Sequence, residues 1–177
     1  MIGWIWIVFI TNLARFAMIR VFDSEESDFA AVCRIYVDAK RDELACEDQR
    51  IEVIPLREDA RILAAFRESD VIVHDDDGVV GFAAIFDGQL RALFVHSSSR
   101  GKGVGRALLS AALARSPAGL SLHVAESNLN ARQFYERSGF VLEGRSERHY
   151  NGCDISYVKM SCSVVRSGEV GSADRAG

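Results

Sequence analysis

One stretch constrains the fold of this 177-residue chain more than any other. Residues 90–95 read Leu-Arg-Ala-Leu-Phe-Val, an apolar strand. Residues 96–99, His-Ser-Ser-Ser, make a polar turn, and residues 100–105, Arg-Gly-Lys-Gly-Val-Gly, lead into an apolar-periodic helix. A strand that passes through a glycine-rich turn into a helix gathers several backbone N–H groups at one spot, with the positive end of the helix behind them. Such a spot binds phosphate. Arg100, Lys102 and Arg106 add positive charge around it. Two familiar phosphate motifs are excluded by spacing. Lys102 is followed by Gly103 rather than Ser or Thr, and Gly101, Gly103 and Gly105 alternate, which breaks the G-x-G-x-x-G pattern.

The rest of the chain supplies elements on both sides of this turn. Residues 18–22 suit a strand. Asp23 or Ser24 is expected to cap a helix, with Glu26 three residues after Asp23. Phe29, Val32, Cys33, Tyr36 and Val37 recur at helical spacing, so this helix is expected to run to about Lys40, followed by a charged loop over 41–52. Pro55 fits the first turn of a second helix, with Leu56, Ala60, Leu63 and Ala64 on one face. Apolar runs at 70–74 and 79–86 flank Asp75-Asp76-Asp77-Gly78 as a hairpin, and Asp87-Gly88 turns the chain into 89–95. The acidic triplet is read as a solvated hairpin tip rather than a metal site.

Beyond the glycine turn, Val104, Ala107, Leu108, Ala111 and Ala112 share a helix face that Leu109 and Leu113 widen, and Pro117 and Gly119 stop it. Residues 120–124 form a short buried strand. Residues 128–138 are helical, with Ala131, Phe134, Tyr135 and Ser138 in register and Gly139 at the end. Residues 140–150 and 153–160 flank Asn151-Gly152 as a final hairpin. The order is β-α-α-β-β-β-α-β-α-β-β, an α/β (α+β) domain with a mixed sheet flanked by helices.

Composition narrows the function. Hydrophobic residues make up 49% and charged residues 26%, the balance of one globular domain with a sizeable core. A net charge of −4 gives no basis for nucleic acid binding. Cys33, Cys46, Cys153 and Cys162 form no CxxC pair and no metal spacing, so four reduced thiols in a cytoplasmic protein are expected. Residues 1–17 are apolar, with Trp4 and Trp6, but are shorter than the roughly 20 residues that span a bilayer. They read as an extension ahead of a domain over 18–160, with Met18 as the native start or the segment as an appendage. Membrane association is not expected. Residues 161–177 read as a polar, flexible tail.

Arg100-Gly101-Lys102-Gly103-Val104-Gly105 resembles the R/Q-x-x-G-x-G/A signature of the GNAT acetyltransferase superfamily. Asn128, Ala131, Phe134, Tyr135, Gly139 and Phe140 resemble its second signature, N-x-x-A-x-x-F-Y-x-x-x-G-F. The two stand in the right order and at the usual separation, and the resemblance covers roughly 18–160. It implies a mostly antiparallel central sheet and acetyl-CoA as cosubstrate, with no metal. The pyrophosphate would rest on the amides of Arg100, Gly101, Lys102, Gly103, Val104 and Gly105, beside Arg106. The pantetheine arm would pair with Leu93, Phe94 and Val95 where two strands splay, Val95 would offer its N–H to the thioester carbonyl, Asn128 would bond the arm, and Phe134 would pack beside it.

The same resemblance casts Tyr135 as the acid that protonates the departing thiolate. The base that takes the proton of the acceptor amine is open among Asp87, His96 and Glu126, with Glu126 preferred because it ends a strand facing the splayed region. His123 alternates with Leu122 and Val124 and reads as structural. Many relatives place a proline where Ser97 stands, so a looser turn is expected here. The hairpin around 145–150 and the stretch 41–55 would line the acceptor side. These residues together imply transfer of an acetyl group to a primary amine (small molecule, protein lysine or N-terminus) by direct attack in a ternary complex, since no cysteine is placed as an acyl carrier. The competing reading is a module that senses acyl-CoA without turnover. Pairing of exposed sheet edges into a homodimer is compatible with either.

Overall fold

The computed structural model describes residues 17–47 and 51–163, so the expectations for 1–16, 48–50 and 164–177 lie outside the described residues. Seven strands, β1 (Met18–Val21), β2 (Asp70–Asp75), β3 (Val79–Phe86), β4 (Gln89–Val95), β5 (Leu120–Ala125), β6 (Val141–Tyr150) and β7 (Cys153–Cys162), form one sheet in the order β1-β2-β3-β4-β5-β7-β6. Every neighbouring pair is antiparallel except β4 and β5. The helices are α1 (Glu26–Glu43), α2 (Ala60–Glu68), α3 (Val104–Arg115) and α4 (Leu129–Arg137). The element order matches the one read from the sequence. No described helix is long and apolar enough to cross a membrane.

Alternation along the strands sorts the core into two layers. Val71 and Val73 of β2 and Phe82 and Ala84 of β3 face α1 and α2, where Val32, Ile35, Tyr36, Leu56 and Phe66 complete the layer. Ile72, Ala83, Ile85 and Leu90 face the other way, onto Leu108, Leu109 and Ala112 of α3 and Tyr135 of α4. A third, smaller cluster joins Leu44 to Ala125, Tyr150, Ile155 and Tyr157 at the far end of α1. Phe82 sits edge-on between Phe66 (6.0 Å) and Phe94 (5.7 Å) at the centre of the first layer.

Local capping chemistry shifts several boundaries. The first helix begins at Glu26 because Asp28, not Glu26, reaches back: its carboxylate accepts the Asp23 N–H, while the Asp23 side chain accepts from Glu25 N–H. It continues to Glu43, a turn beyond the expected end, with Lys40 and Glu43 paired along that turn. The second helix begins at Ala60 rather than at Pro55. The Pro55 carbonyl closes an isolated turn with the N–H groups of Glu58 and Asp59, and the Asp59 side chain then caps the helix through Ile62 N–H. Leu56 is fully buried, but ahead of the helix and not on it. The last strand runs to Cys162, two residues into the stretch read as tail.

Arg20 ties β1, β2 and α1 together. It donates to both oxygens of Asp28 (2.6 and 2.8 Å) and to Asp75 (2.9 Å). The Arg20 bonds hold the buried Asp28 carboxyl below the usual carboxylate range, so this contribution is present above the unfolded pKa and lost as pH falls toward the folded one. Asp28→Asn is expected to lower stability by about 2 kcal/mol at neutral pH. It should also flatten the loss of stability on acidification, both read from urea unfolding between pH 7 and pH 3. Phe82→Ala, which empties the aromatic centre, is expected to cost about 3–5 kcal/mol in the same measurement at neutral pH.

Candidate active site

β4 and β5 pair at only two positions, Gln89↔Ser121 and Leu90↔Leu122, and then separate. Each strand keeps its other partner, β3 and β7 respectively, so the separation opens a gap through the sheet. His96 N–H bonds Val80 O at 2.9 Å. Strand groups alternate, so the N–H groups of Leu93 and Val95 face the opposite edge, into the gap. A cavity of about 910 Å³ follows from this opening. It runs from the α3 N-terminus, through the gap, to the α1 end of the other face.

On the α3 side the glycine turn has the expected form. Ser97–Ser99 make one 3₁₀ turn, and Gly103 caps α3 with φ 87°, a conformation that any side chain would strain. Gly105 lies under the gap: a methyl group there would stand 3.8 Å from each of Leu93, Val95 and Phe134, in the space a ligand would use. Leu93, Phe94, Val95, Arg100, Gly101, Gly103, Gly105, Arg106, Asn128 and Phe134 all line the cavity. Lys102 and Val104 do not. Lys102 is exposed, and the Val104 side chain is buried in the core.

The Arg100 side chain has a task other than direct phosphate contact. Its guanidinium bonds Asp42, lies 3.5 Å from Asp38, and donates through Nε to Val95 O at 3.0 Å. Ser97 is bound by the same helix: its N–H (2.7 Å) and hydroxyl (3.0 Å) both donate to Asp38. Burial works to raise the Asp38 carboxyl, but the Ser97 bonds hold it below the usual range. Ser97 thus has partners that the expectation of a looser turn did not include. Serine keeps the N–H that proline lacks, and α1 uses it as a clamp. Arg106 remains without an ion pair to any described residue and is the cavity's free cation on this side.

The second signature is largely helix grammar. Asn128 caps α4, its side chain accepting from Ala131 N–H at 3.1 Å. Gly139 (φ 88°) closes the helix: its N–H bonds Glu136 O, Phe140 N–H bonds Tyr135 O, and the Phe140 ring packs 5.5 Å from Tyr135. Tyr135 is thereby held in the core, beside the cavity-lining Phe134 and not itself on the wall. Burial first, and the charge of Glu43 second, push its phenol above the ordinary value.

Glu126 is not brought to the site. It lies outside the cavity wall, where Arg145 donates to its carboxylate at 2.9 Å. Asp87 and His96 also lie off the wall. His123, read as structural, is on it instead. β-alternation puts its ring on the α1 face, opposite Leu122 and Val124, one residue past the last β4–β5 pair. The ring stands 3.2 Å from the Gln89 amide. Burial, then the charges of Arg148 and Lys159, lower its pKa below the ordinary 6.5, so the imidazole is neutral at neutral pH.

Lys40, Glu43, Arg148, His149, Tyr150 and Tyr157 complete the cavity wall on this side. Arg148, His149 and Tyr150 lie in the hairpin stretch, and Glu43 in the stretch 41–55, expected to line the acceptor side; Lys40 and Tyr157 lie outside both. Lys40 escapes a periodicity reading, because charges spaced i,i+3 at a helix end ordinarily mark a solvated face.

A family model described as an acetyltransferase (GNAT) domain matches residues 42–164. The chain belongs to the GNAT acetyltransferase family. Among curated proteins it is similar to the peptidyl-lysine N-acetyltransferase YjaB of Salmonella typhimurium, 42% identical over 77 residues, which are 44% of this chain and 52% of that protein. YjaB of Escherichia coli matches with the same identity and coverage. The chain thus spans about half the length of the curated relatives it matches. The solution structure of apo YjaB from E. coli is 30% identical with a TM-score of 0.61, over 82% of this chain and 97% of that one. A GCN5-related N-acetyltransferase from Rhodopseudomonas palustris (23% identity, TM-score 0.65, 84% and 96% covered) shares the fold. So does yncA from Salmonella typhimurium, solved with its cofactor acetyl-CoA (19%, TM-score 0.58, 89% and 99% covered).

Gly103→Val is expected to weaken acetyl-CoA binding at least about tenfold, since a left-handed conformation costs an L-residue roughly 1–2 kcal/mol and the side chain would shift the cradle amides. Titration calorimetry checks this. Unchanged affinity would remove the turn from cofactor binding.

Proposed function

We propose that the chain transfers an acetyl group from acetyl-CoA to a primary amine by direct attack in a ternary complex, with a protein lysine as acceptor. The observation that carries this reading is the gap between β4 and β5. It is open on both faces, with a helix N-terminus on one side and a neutral histidine on the other. The likeness to YjaB supports lysine as the acceptor. No cysteine lines the cavity, which supports direct attack over an acyl-enzyme. The four free cysteines support a reducing, cytoplasmic setting.

In this reading the amides that open α3, with Arg106, hold the pyrophosphate. The N–H groups of Leu93 and Val95 pair with the arm and the thioester. β4 bulges at Arg91, where Ile85 pairs Leu90 and Ala84 pairs Ala92, so at about 3.3 Å per residue Leu93 lies roughly 3 Å further along the gap than His123, and Val95 roughly 10 Å. Leu93 N–H is therefore assigned to the carbonyl oxygen, where it stabilises the developing oxyanion, and Val95 to the arm. His123 replaces Glu126 as the base. The Gln89 amide nitrogen faces His123 Nδ1 at 3.2 Å; with that amide turned so that its oxygen accepts Nδ1–H instead, Nε2 keeps its lone pair for the amine proton. The amine nitrogen bonds the acetyl carbon, the carbon–sulfur bond breaks, and the sulfur departs as a thiolate; Tyr135, kept protonated by burial directly behind the wall-lining Phe134, is the proposed source of its proton, a role that requires its hydroxyl to reach the cavity.

His123→Gln is expected to lower kcat on a lysine peptide at least about 100-fold while leaving acetyl-CoA affinity unchanged. In the parent chain the acid limb of the rate profile should fall below pH 6.5, as His123 protonates. The variant's residual rate should lack that limb. Steady-state rates from pH 5 to 8 decide it, and an unchanged rate would return His123 to a structural role. Tyr135→Phe should lower turnover more than cofactor affinity. Equal turnover would remove the acid role.

A further inference from the structure

The acceptor half holds an ammonium group already, and it is the chain's own. Lys40 Nζ lies 2.8 Å from Glu43 Oε1 and donates to the Tyr157 hydroxyl at 3.3 Å, and that hydroxyl donates to the same Glu43 oxygen at 3.2 Å. The ammonium also stands 5.2 Å from the centre of the Tyr150 ring and 5.9 Å from that of Tyr157, within range of both π faces. The box is rigid. Tyr150 OH accepts from Ile54 N–H at 3.0 Å, and both rings are buried in the cluster around Ile155.

Stability does not account for this arrangement. An i,i+3 pair at a helix end gains little wherever it sits, and in water it is cheap to hold. Here both side chains are only 12% exposed, so two charges are desolvated where an apolar pair would serve the fold as well. All four residues face the cavity that contains His123 and the Leu93 edge. A carboxylate and two phenol rings around one ammonium are what a site for an alkylammonium needs, and this one lies in the wall of the transfer cavity.

Resting on the transferase reading above, we propose that Glu43, Tyr150 and Tyr157 form the docking subsite for the acceptor's ammonium group, and that Lys40 fills it until an acceptor displaces it. The substrate class is a primary alkylammonium on a slim aliphatic arm, as in a lysine side chain. Burial works against the Lys40 charge, but Glu43 and Tyr157 hold its pKa above the ordinary value, so the occupant is a cation. Its flexible four-carbon stem lets it withdraw. With Lys40 in place Glu43 is neutralised, so only a competing cation gains by entering. The apparent affinity for the acceptor is reduced by the fraction of sites that Lys40 leaves free.

The experiment titrates a short peptide with one lysine into the full chain saturated with CoA, and separately measures KM for the same peptide with acetyl-CoA. Lys40→Met keeps the stem and removes the plug, and should tighten peptide binding and lower KM about tenfold. Glu43→Gln should weaken both about tenfold, with acetyl-CoA affinity unchanged. The double variant Lys40→Met/Glu43→Gln leaves no lone buried charge, guards against misfolding of either single variant, and should bind the peptide as weakly as Glu43→Gln. Peptide affinity unchanged in all three variants, or weakened by Lys40→Met in a folded protein, overturns the proposal. Binding that shifts as expected in a chain that transfers to no amine upholds the subsite and overturns the transferase reading instead.

Discussion

The early parting of β4 and β5 is the constraint on which the rest of the structure depends. Two residue pairs join the strands at Leu90 and Leu122, and none follows. Backbone donors inside a sheet are ordinarily paired, and leaving them unpaired is costly. Here each strand keeps its outer neighbour, and the inner edge of β4 is left facing a cavity. Gly105 and Phe134 meet under the opening, so α3 and α4 support its walls without filling it. A ligand with its own amide groups can complete the ladder that the protein leaves open. The two faces of the sheet, elsewhere separated by packed side chains, communicate through this gap.

The first helix organises both halves of the site from one element. At 3.6 residues per turn, its buried stripe of Ala31, Val32, Ile35, Tyr36 and Ala39 has two shoulders. Asp38 and Asp42 lie on one and clamp the glycine turn through Ser97 and Arg100. Lys40 and Glu43 lie on the other and reach the hairpin tyrosines. A shift of this helix would be felt at the glycine turn and at the Lys40 pocket together. The hydrophobic stripe fixes the helix on the sheet, and the charged shoulders distribute its position to the chemistry.

Much of this was legible in the sequence where a residue's local chemistry decides its role. Asp87-Gly88 and Asn151-Gly152 turn as read because both positions of each adopt positive φ, which these residue types tolerate. Asn128, Gly139 and Phe140 could be read because capping is a short-range matter. What failed needed long-range knowledge. Periodicity puts His123 on the face opposite Leu122 and Val124, but whether that face meets core or cavity depends on where β4 leaves β5, and no local pattern encodes that. Glu126 stands off the wall for the mirror reason: its strand end faces the right region, yet its carboxylate accepts from Arg145 of β6. Pro55 is a good first residue of a helix, but Asp59 is a better cap, and the competition between two local signals moved the start to Ala60.

The clamp on the glycine turn gives the protein a sensitivity that a proline turn would not have. Proline shapes a turn by covalent geometry, which no solute alters. Ser97 and Arg100 shape it by bonds to two carboxylates, and the side chains of Arg100 and Asp38 are 40% and 29% exposed. Charges in that setting are partly screened, over a distance of about 8 Å at physiological ionic strength. The ion pairs that shape the glycine turn are therefore open to the salt around them, their attraction strongest in dilute solution and weaker in brine.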